Sequence, residues 1–443
     1  MTFIRSLYLS RLFFTVLIGL VFLFLLTFMV PWLFGLVRIF FFVTLLVTVT
    51  DCVLLFASPN PFFTRRETAD RFSNGDDNPV SIFLENRYGF PVQLEIIDEI
   101  PFQFQKRDVL FQTTLQAQAE QIIRYELRPV ERGEYDFGAV NVYVQSPLKI
   151  LKRRFKFSQQ QKVAVYPSFM QMKQYEFMAI SNRLNELGIK KIRRIGLSQE
   201  FEQIRPYVSG DDVRTVNWKA TARRNEVMVN AFQEEKSQSV YCLIDKGRVM
   251  KSPFNGLSLL DYAINATLVM SNIALLKQDK AGVVTFSDKM GRTVAADRKP
   301  GQLQRILELL YRQKTRFLEP DYELLYVTIK KQIRQRSLLL LFSNFETTNA
   351  LYRVLPYLRK LAKDHLLIVI FFENTELSTL LSQSAETTEE IYLKTIAEKF
   401  VYEKQQIMRE LQTYGIQSVL TPPEKLTVNT INTYLEVKAR GLI

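Results

Sequence analysis

Hydrophobic residues are concentrated in the first sixty positions of the chain. An uncharged run rich in Leu, Phe and Val covers about residues 12–30, and a second apolar run covers about residues 36–56. Each run meets the length of roughly 20 residues that a helix needs to cross a ~30 Å hydrocarbon core. Pro31 and Trp32 between them are typical of a tight turn at the membrane interface. The pattern predicts a transmembrane helical hairpin over residues 1–58.

A cleaved signal peptide does not fit this N-terminal pattern. The first run is longer than a signal-peptide core, no small-residue cleavage site follows it, and a second apolar run comes directly afterwards. Arginines lie before the first run and after the second, whereas the turn between the runs offers only Arg38. The positive-inside rule therefore predicts a multi-pass protein of the cell membrane with both ends and the soluble domains in the cytoplasm.

Asp51 is an acidic residue inside the second apolar run. One hypothesis makes it a proton-relay or helix-pairing group within the membrane. The interpretation favoured by its position is simpler: it lies within about two turns of the cytoplasmic end and reaches the lipid headgroups.

Between residues 59 and 167 the hydrophobic period changes to two. Val80, Ile82 and Leu84 alternate with polar neighbours, and later runs separated by Asn, Gly and Pro repeat the pattern. Such alternation predicts an antiparallel β-sandwich, and roughly 100 residues with about seven strands suit an immunoglobulin-like arrangement. No cluster of ionisable groups suggests chemistry there, so a spacer or binding module is expected.

From residue 239 to residue 443 short apolar strands alternate with amphipathic helices. The first strand, Val240 to Ile244, is nearly continuously apolar and ends at Asp245. This alternation predicts an α/β domain with a mostly parallel sheet covered on both faces, and ligands in such sheets bind beyond the carboxyl ends of the strands. Residues 168–238 are predicted to form a linker between the two soluble domains.

Composition excludes several classes of site. The formal charge of +13 is consistent with a location beside an anionic membrane surface, and no nucleic-acid-binding motif accompanies it. Cys52 and Cys242 are the two cysteines and are expected to be reduced and unpaired. His365 is the single histidine, which excludes metal sites and catalytic triads built on several histidines. No P-loop or dinucleotide fingerprint occurs, so no cofactor is expected.

The segment over residues 205–223 of the predicted linker combines turn, charge and aromatic signals. Gly210 permits a sharp turn, and Asp211 or Asp212 is placed to cap the helix that follows. Paired aspartates beside an arginine also suggest metal-dependent or acid-base catalysis. The favoured interpretation is a capped and packed helix, because no nucleophile or second carboxylate cluster has an obvious place.

The following residues favour packing of that helix. Arg214 and Trp218 are four positions apart, so on a helix the guanidinium would cover the indole face. Ala220 and Ala222 would allow another element to approach closely. The segment is therefore predicted to orient itself against the α/β domain.

These residues resemble the signature of the bacterial family called domain of unknown function 58. The order of the remaining parts agrees with that family, so the resemblance covers nearly the whole chain. It implies a von Willebrand factor A-like (Rossmann-like) α/β domain, a bacterial inner-membrane location and a partner among the MoxR-type AAA+ ATPases. The matching positions are Tyr207, Gly210, Asp211, Asp212, Arg214, Trp218, Ala220, Ala222 and Arg223. All of them except Ala220 are also expected to bind the partner.

Von Willebrand A domains often hold a divalent ion with Asp-x-Ser-x-Ser, a threonine and a later Asp, which supply the hard oxygen ligands that Mg²⁺ prefers. Here Asp245 remains, but Lys246 and Arg248 bring positive charge, and Asn344 stands where the family has aspartate. We predict no metal at this edge, although an acidic residue of 319–321 would be the compensating ligand. Asp245 is expected to pair with Lys246 or Arg248, and the edge to bind a protein partner.

Together these patterns predict a non-enzymatic, membrane-anchored adaptor or scaffold. The resemblance implies that it works with a MoxR-type ATPase on protein clients, in protein assembly or envelope maturation. Two alternatives stay open: a metal-dependent hydrolase using the Asp211–Asp212 pair, and a purely structural envelope scaffold.

Overall fold

The computed structural model divides the chain into two compact units, Met1–Tyr166 and Pro167–Ile443. The residues that the structure describes are 5–104, 109–158, 161–180, 200–209, 211, 213–233, 237–385 and 387–442.

Two long apolar helices open the first unit. Helix α1 is Arg11–Met29 and α2 is Leu33–Phe56, with mean hydropathies of 2.8 and 2.5 in their most apolar windows. Ser10 caps α1, because its hydroxyl oxygen accepts a hydrogen bond from the Phe13 amide at 3.2 Å. The protein buries only 6% and 11% of the residues in these windows, so apolar side chains are exposed along most of both helices. Both are long and apolar enough to span a membrane, as the sequence predicted.

A β-rich region makes up the rest of this unit, as predicted. Its sheets have the strand orders β1-β10-β9-β5-β6, β2-β4-β7 and β3-β11-β8. Neighbouring strands are antiparallel except for β3 and β11, which are parallel. The strands are β1 Leu7–Leu9, β2 Phe62–Thr68, β3 Arg71–Ser73, β4 Asn78–Asn86, β5 Val92–Asp98, β6 Leu110–Leu115, β7 Glu120–Leu127, β8 Gly133–Phe137, β9 Val140–Gln145, β10 Leu151–Phe157 and β11 Gln161–Tyr166.

The two-residue period of the sequence explains the core of the β-rich region. Val80, Ile82 and Leu84 are each 0% exposed, while the residues between them are partly accessible. The core also holds a buried ion pair between Arg66 and Asp98, in which the Arg66 Nε atom lies 3.0 Å from a carboxylate oxygen. The sequence does not indicate this pair, because Arg66 is one of the arginines that follow the second apolar run and is there interpreted as a cation beside the membrane.

Asp51 of α2 is 0% exposed and contacts the turn between β9 and β10. Its carboxyl group accepts hydrogen bonds from the Ser146 hydroxyl, the Ile150 amide at 3.1 Å and the Leu151 amide at 2.8 Å. The interpretation that Asp51 reaches the lipid headgroups is therefore wrong. The carboxyl group instead joins the second apolar helix to the β-rich region.

The second unit contains an α/β region, again as predicted. Its sheet has the strand order β18-β17-β14-β19-β20-β21, and β18 alone runs antiparallel to its neighbour. The strand β14 comes first in the chain. Strands β17 and β18 are added on one side of it and β19, β20 and β21 on the other, which is the doubly wound order with its switch point between β14 and β19. The sheet strands are β14 Ser239–Asp245, β17 Lys280–Phe286, β18 Met290–Asp297, β19 Leu338–Phe342, β20 Leu366–Phe372 and β21 Gln417–Thr421.

Helices and short strands complete the second unit. The helices are α3 Phe169–Ile180, α4 Trp218–Arg224, α5 Leu259–Leu276, α6 Gln302–Tyr311, α7 Tyr322–Gln332, α8 Thr348–Asp364, α9 Thr375–Ser382, α10 Thr388–Thr413 and α11 Leu426–Ala439. The strands outside the main sheet are β12 Glu200–Pro206, β13 Met228–Gln233, β15 Pro253–Phe254 and β16 Leu257–Ser258.

Helix α5 is the third helix with the length and apolarity of a membrane span, but 83% of it is buried inside the second unit. Its N-terminus carries a capping box in which Ser258 and Asp261 satisfy each other's backbone amides. Its buried polar side chains find partners within the same unit, since Asn265 accepts from the Ser168 amide at 3.0 Å and Asn272 donates to Glu176 at 3.1 Å. The helix therefore belongs to the core of the second unit.

Candidate functional site

The carboxyl ends of β14 and β19 lie side by side where the strand order reverses. Asp245 ends β14, and Ser343 and Asn344 directly follow β19. In doubly wound sheets a crevice opens at this position, because the connections from the two strands leave in opposite directions. The structure therefore brings together two elements that are about a hundred residues apart in the chain.

Asp245 is fully buried at this crevice and is held by hydrogen-bond donors. Its carboxylate accepts from the Ser343 hydroxyl at 2.7 Å, the Gly247 amide at 2.7 Å and the Tyr322 hydroxyl at 3.3 Å. Burial raises the pKa of Asp245 to about 6, against the opposing effect of these three hydrogen bonds. Tyr322 was not identified from the sequence, because its hydroxyl reaches the site only through the packing of α7.

Lys246 and Arg248 do not form the expected ion pair with Asp245, and that prediction is wrong. The Lys246 amine lies near Gly291, 3.1 Å from where a Cβ atom on that glycine would stand. Burial, together with repulsion from Arg316, lowers the pKa of Lys246. The Arg248 amide donates to the Leu318 carbonyl at 3.2 Å. The Lys246 side chain lies towards Gly291 and Arg248 lines the cleft, and neither cation forms an ion pair with the buried carboxylate.

A cleft of about 400 Å³ lies over Asp245 and is lined by Arg248, Asn344 and the loop before α7. The acidic residues of that loop are already engaged. Asp321 caps α7 by accepting from the Leu324 amide at 2.9 Å, and Glu319 pairs with Arg353 at 3.0 Å. Among the residues described, no group of three His, Cys, Asp or Glu side chains is close enough to hold a metal ion. Of the four residues predicted at this edge of the sheet, Asp245, Arg248 and Asn344 line the same cleft, and Lys246 does not.

A second cleft, of about 440 Å³, adjoins Asn344 on its other side. It is lined mainly by apolar residues, including Phe372 and Phe400, and by Lys404 of α10. The Lys404 amine donates to the Asn344 side-chain oxygen at 2.5 Å, and burial lowers its pKa to about 8. The sequence did not reveal this site, because only the docking of α10 near the strand ends partly buries one of its lysines.

The family-like segment forms an antiparallel hairpin of β12 and β13 with the turn and α4 between them. Asp211 does not cap the helix: it accepts from both terminal nitrogens of Arg205, at 2.7 and 2.8 Å, and from the Val208 amide at 2.9 Å. The bond from Arg205, with that from Val208, lowers the pKa of Asp211. Asn217 caps α4 instead, accepting from the Ala220 amide at 3.0 Å. A carboxylate engaged in this way holds a turn.

Gly210 and Asp212 lie outside the described residues. Arg214 belongs to a 3-10 turn, whereas Trp218 begins α4 after the non-helical Asn217, so the predicted four-residue helical spacing between them is wrong. The prediction of a packed helix is also wrong, because α4 has no buried residue and Ala222 is exposed.

Large apolar side chains of this segment face solvent. Trp218 is 71% exposed, Val213 67% and Val208 61%. We call the exposed set the signature surface; it comprises Tyr207, Val208, Val213, Trp218 and Val227. Exposed cations accompany it, namely Arg214, Lys219, Arg223 and Arg224. Exposed aromatic and apolar groups beside arginines are characteristic of protein-binding surfaces.

Comparison with known proteins connects this segment to a family. Residues 203–403 match the family model described as "Protein of unknown function DUF58". The uncharacterized protein YeaD of Bacillus subtilis (strain 168) is 27% identical over 180 residues, which are 39% of this chain and 44% of that protein. The chain thus covers less than half the length of this curated relative.

Solved structures give only remote likenesses. The CARDB domain of the PF1109 protein from Pyrococcus furiosus is 12% identical, with 24% of this chain and 86% of that chain covered, at a TM-score of 0.17. The proximal thread matrix protein 1 from the mussel byssus is 10% identical, with 46% and 47% covered, at a TM-score of 0.26. Scores this low support no conclusion about the fold.

Proposed function

Residues 203–403 place this chain in the DUF58 family, and we propose from that premise that it is a non-enzymatic, membrane-anchored adaptor. Its signature surface binds a partner protein, and its N-terminal hairpin keeps the partner at the membrane. The partner that the family resemblance suggests is a MoxR-type AAA+ ATPase acting on protein clients during assembly or envelope maturation. In this arrangement the ATPase hydrolyses ATP and the present chain does not.

The exposure of the signature surface is the observation that carries the proposal. Trp218 and Val213 are more than two-thirds solvent-accessible, although large apolar groups gain free energy by leaving water. Tryptophan and arginine contribute most of the binding free energy in many protein interfaces. The surrounding cations indicate a partner with an acidic face and an apolar pocket.

The anchor supports a location in the bacterial inner membrane. The arginines at the outer ends of the hairpin favour the cytoplasm for both soluble units. Two cysteines without a disulfide partner agree with a reducing compartment.

For the folds we propose an immunoglobulin-like first soluble domain and a von Willebrand factor A-like second one. The doubly wound strand order supports the second assignment. We also propose that the crevice at Asp245 is a degenerate metal site. Its carboxylate is occupied by Ser343, Tyr322 and Gly247, and Arg248 brings positive charge to the same cleft. Such an edge suits contacts with protein side chains better than coordination of Mg²⁺.

The hydrolase alternative has less support. It requires Asp211 to be available to a metal or substrate, whereas both carboxylate oxygens accept hydrogen bonds from Arg205. Its partner in the proposed pair, Asp212, lies outside the described residues.

The test is in-cell crosslinking followed by affinity capture of the full chain in mild detergent and mass spectrometry. Val213→Asp places a charge on the signature surface and is expected to abolish recovery of a MoxR-type ATPase. Val327→Asp is the matched control, since Val327 is 53% exposed on the unrelated helix α7. Both variants should extract and unfold like the natural chain.

Loss of the ATPase with Val213→Asp but not with Val327→Asp would support the adaptor. Equal recovery in both variants would refute the assignment of the signature surface. Repeated capture of envelope proteins without any ATPase would leave the structural scaffold as the better account.

A further inference from the structure

The depth of the β-rich region relative to a bilayer follows from the length of α1. Its 19 residues extend about 28 Å at 1.5 Å per residue, close to the ~30 Å thickness of a hydrocarbon core. The whole helix is therefore needed to cross, and Arg11, its first residue, lies at the hydrocarbon edge. The preceding amide, Ser10 N–H, donates to the Ile150 carbonyl at 3.0 Å. The β9–β10 turn is thus tied to the level of the membrane surface.

The second helix fixes the same turn independently. Asp51 lies five residues before the end of α2 and accepts from the Ile150 and Leu151 amides. In addition, the Tyr88 hydroxyl donates to the Leu55 carbonyl at 2.9 Å. Both helices of the hairpin thus hold the β-rich region at one depth, and contact with the bilayer does not depend on a flexible linker.

The tip of the turn has the composition of a membrane-contacting loop. The Lys149 amide donates to the Ser146 carbonyl at 3.2 Å and closes a β-turn, with Pro147 and Leu148 at its centre. Leu148 is 38% exposed, and Pro147 and Lys149 are exposed. Lys149 has a backbone φ of +59°, which is strained for a lysine and relaxed for glycine. The strained backbone marks Lys149 as a candidate functional residue, because glycine would occupy this position without strain.

Two cations near this tip are available to a ligand. Within the described part of the chain, neither Arg11 nor Lys149 forms an ion pair with an acidic side chain. The basic residues of the neighbouring strand differ, since the Lys152 amine binds Glu95 at 2.6 Å and Arg153 donates to the Leu55 carbonyl at 2.5 Å. Arg11 and Lys149 directly follow and precede the two residues of the Ser10–Ile150 hydrogen bond, so their backbones lie close together, and both side chains are exposed.

We propose that this tip is a lipid-binding site: Leu148 enters the boundary of the acyl chains, and Lys149 and Arg11 bind the phosphate of an anionic phospholipid. Each cation near an anionic membrane surface contributes about 1 kcal/mol, which corresponds to about a fivefold change in affinity. The inference rests on the membrane anchoring proposed above but not on the identity of the partner ATPase.

The affinity test is native mass spectrometry of the full chain, released from detergent and titrated with phosphatidylglycerol or phosphatidylcholine. Lys149→Gly removes the amine and relaxes the backbone, so we expect about fivefold weaker binding of the first phosphatidylglycerol without loss of stability. Arg11→Gln should act similarly, and Lys314→Gly, in an exposed loop of the second unit, is the control. Unchanged phosphatidylglycerol affinity in both Lys149→Gly and Arg11→Gln would refute the lipid site.

The depth test uses Leu148→Cys carrying a nitroxide, in a chain with Cys52→Ser, reconstituted in vesicles of phosphatidylcholine and phosphatidylglycerol. Collision with oxygen in preference to a water-soluble nickel complex would support an interfacial Leu148, and the reverse preference would refute it. Extraction by alkaline carbonate tests the anchor separately. A chain retained in the membrane with a water-exposed label at position 148 would overturn this inference and leave the anchor intact.

Discussion

Replacing Asp51 with alanine tests whether this carboxyl group fastens the β-rich region to the second apolar helix. In the natural chain it accepts from one hydroxyl and two backbone amides, all inside the protein. Asp51→Ala leaves these donors without a partner, and each buried unsatisfied donor costs about 1–3 kcal/mol. Because such costs are not additive, we expect the turn to lose about 3 kcal/mol or more of local stability.

Amide hydrogen exchange measures this loss of local stability at the turn itself. The Ile150 and Leu151 amides are bound directly to the replaced group, so their exchange reports opening of the contact. A loss of about 3 kcal/mol corresponds to at least about 100-fold faster exchange, since 1.36 kcal/mol is a factor of ten. The measurement is hydrogen-exchange mass spectrometry of the full chain in detergent, on fragments covering residues 146–152.

Thr50→Ala is the matched control for this experiment. Thr50 is adjacent in α2, but it is exposed and its hydroxyl bonds within the helix, to the Leu46 carbonyl at 2.9 Å. Exchange over residues 146–152 should not change in this variant. Asp51→Asn, which keeps one carbonyl acceptor, should fall between alanine and the natural chain. If Asp51→Ala leaves the exchange of both amides unchanged, the carboxyl group does not hold the turn and our reasoning is refuted.

Three further predictions concern ionisable groups in the interior. The pKa of Asp245 is raised to about 6, so the native state keeps its proton to a higher pH than the unfolded state does, and stability falls as the pH rises from about 4 to about 6. Asp245→Asn should remove this pH-dependent loss of stability. In denaturant unfolding it should stabilise the second unit by up to about 3 kcal/mol at pH 7.5 and have no such effect at pH 3.5. Equal effects at both pH values would contradict the raised pKa of Asp245. The pKa of Lys404 is lowered to about 8, so the rate of its acetylation should reach half of the maximum near pH 8. Competitive acetylation read by mass spectrometry measures this midpoint, which is about 10.4 for a free lysine derivative. A midpoint near 10 would contradict the lowered pKa. Arg66→Met leaves Asp98 buried without its ion-pair partner and should destabilise the β-rich region by about 3–5 kcal/mol in thermal unfolding; an unchanged transition would show that the pair is dispensable.

Local pattern determined the elements of this protein. The length and apolarity of the first two helices are sufficient to identify them, because crossing a hydrocarbon core sets a minimum length. The alternation at Val80, Ile82 and Leu84 indicates strands with one buried face, and continuous apolar strands indicate a covered parallel sheet. The predicted edge at Asp245 and Asn344 also follows from local pattern, since the carboxyl ends of parallel strands meet at one side of the sheet.

The partners of individual side chains were decided by tertiary structure alone. Asp51 meets a turn almost a hundred residues away, Asp245 is bound by Tyr322 and Ser343 instead of Lys246 or Arg248, and Lys404 is partly buried by the docking of one helix. Sequence spacing restricts contacts within a helix or strand, but it carries no information about which distant elements pack together. By length and hydropathy alone α5 resembles a membrane span, and its position between two strands of the α/β domain is what distinguishes it in the sequence. The signature was recognisable as a motif, and only the folded chain revealed that its tryptophan faces solvent.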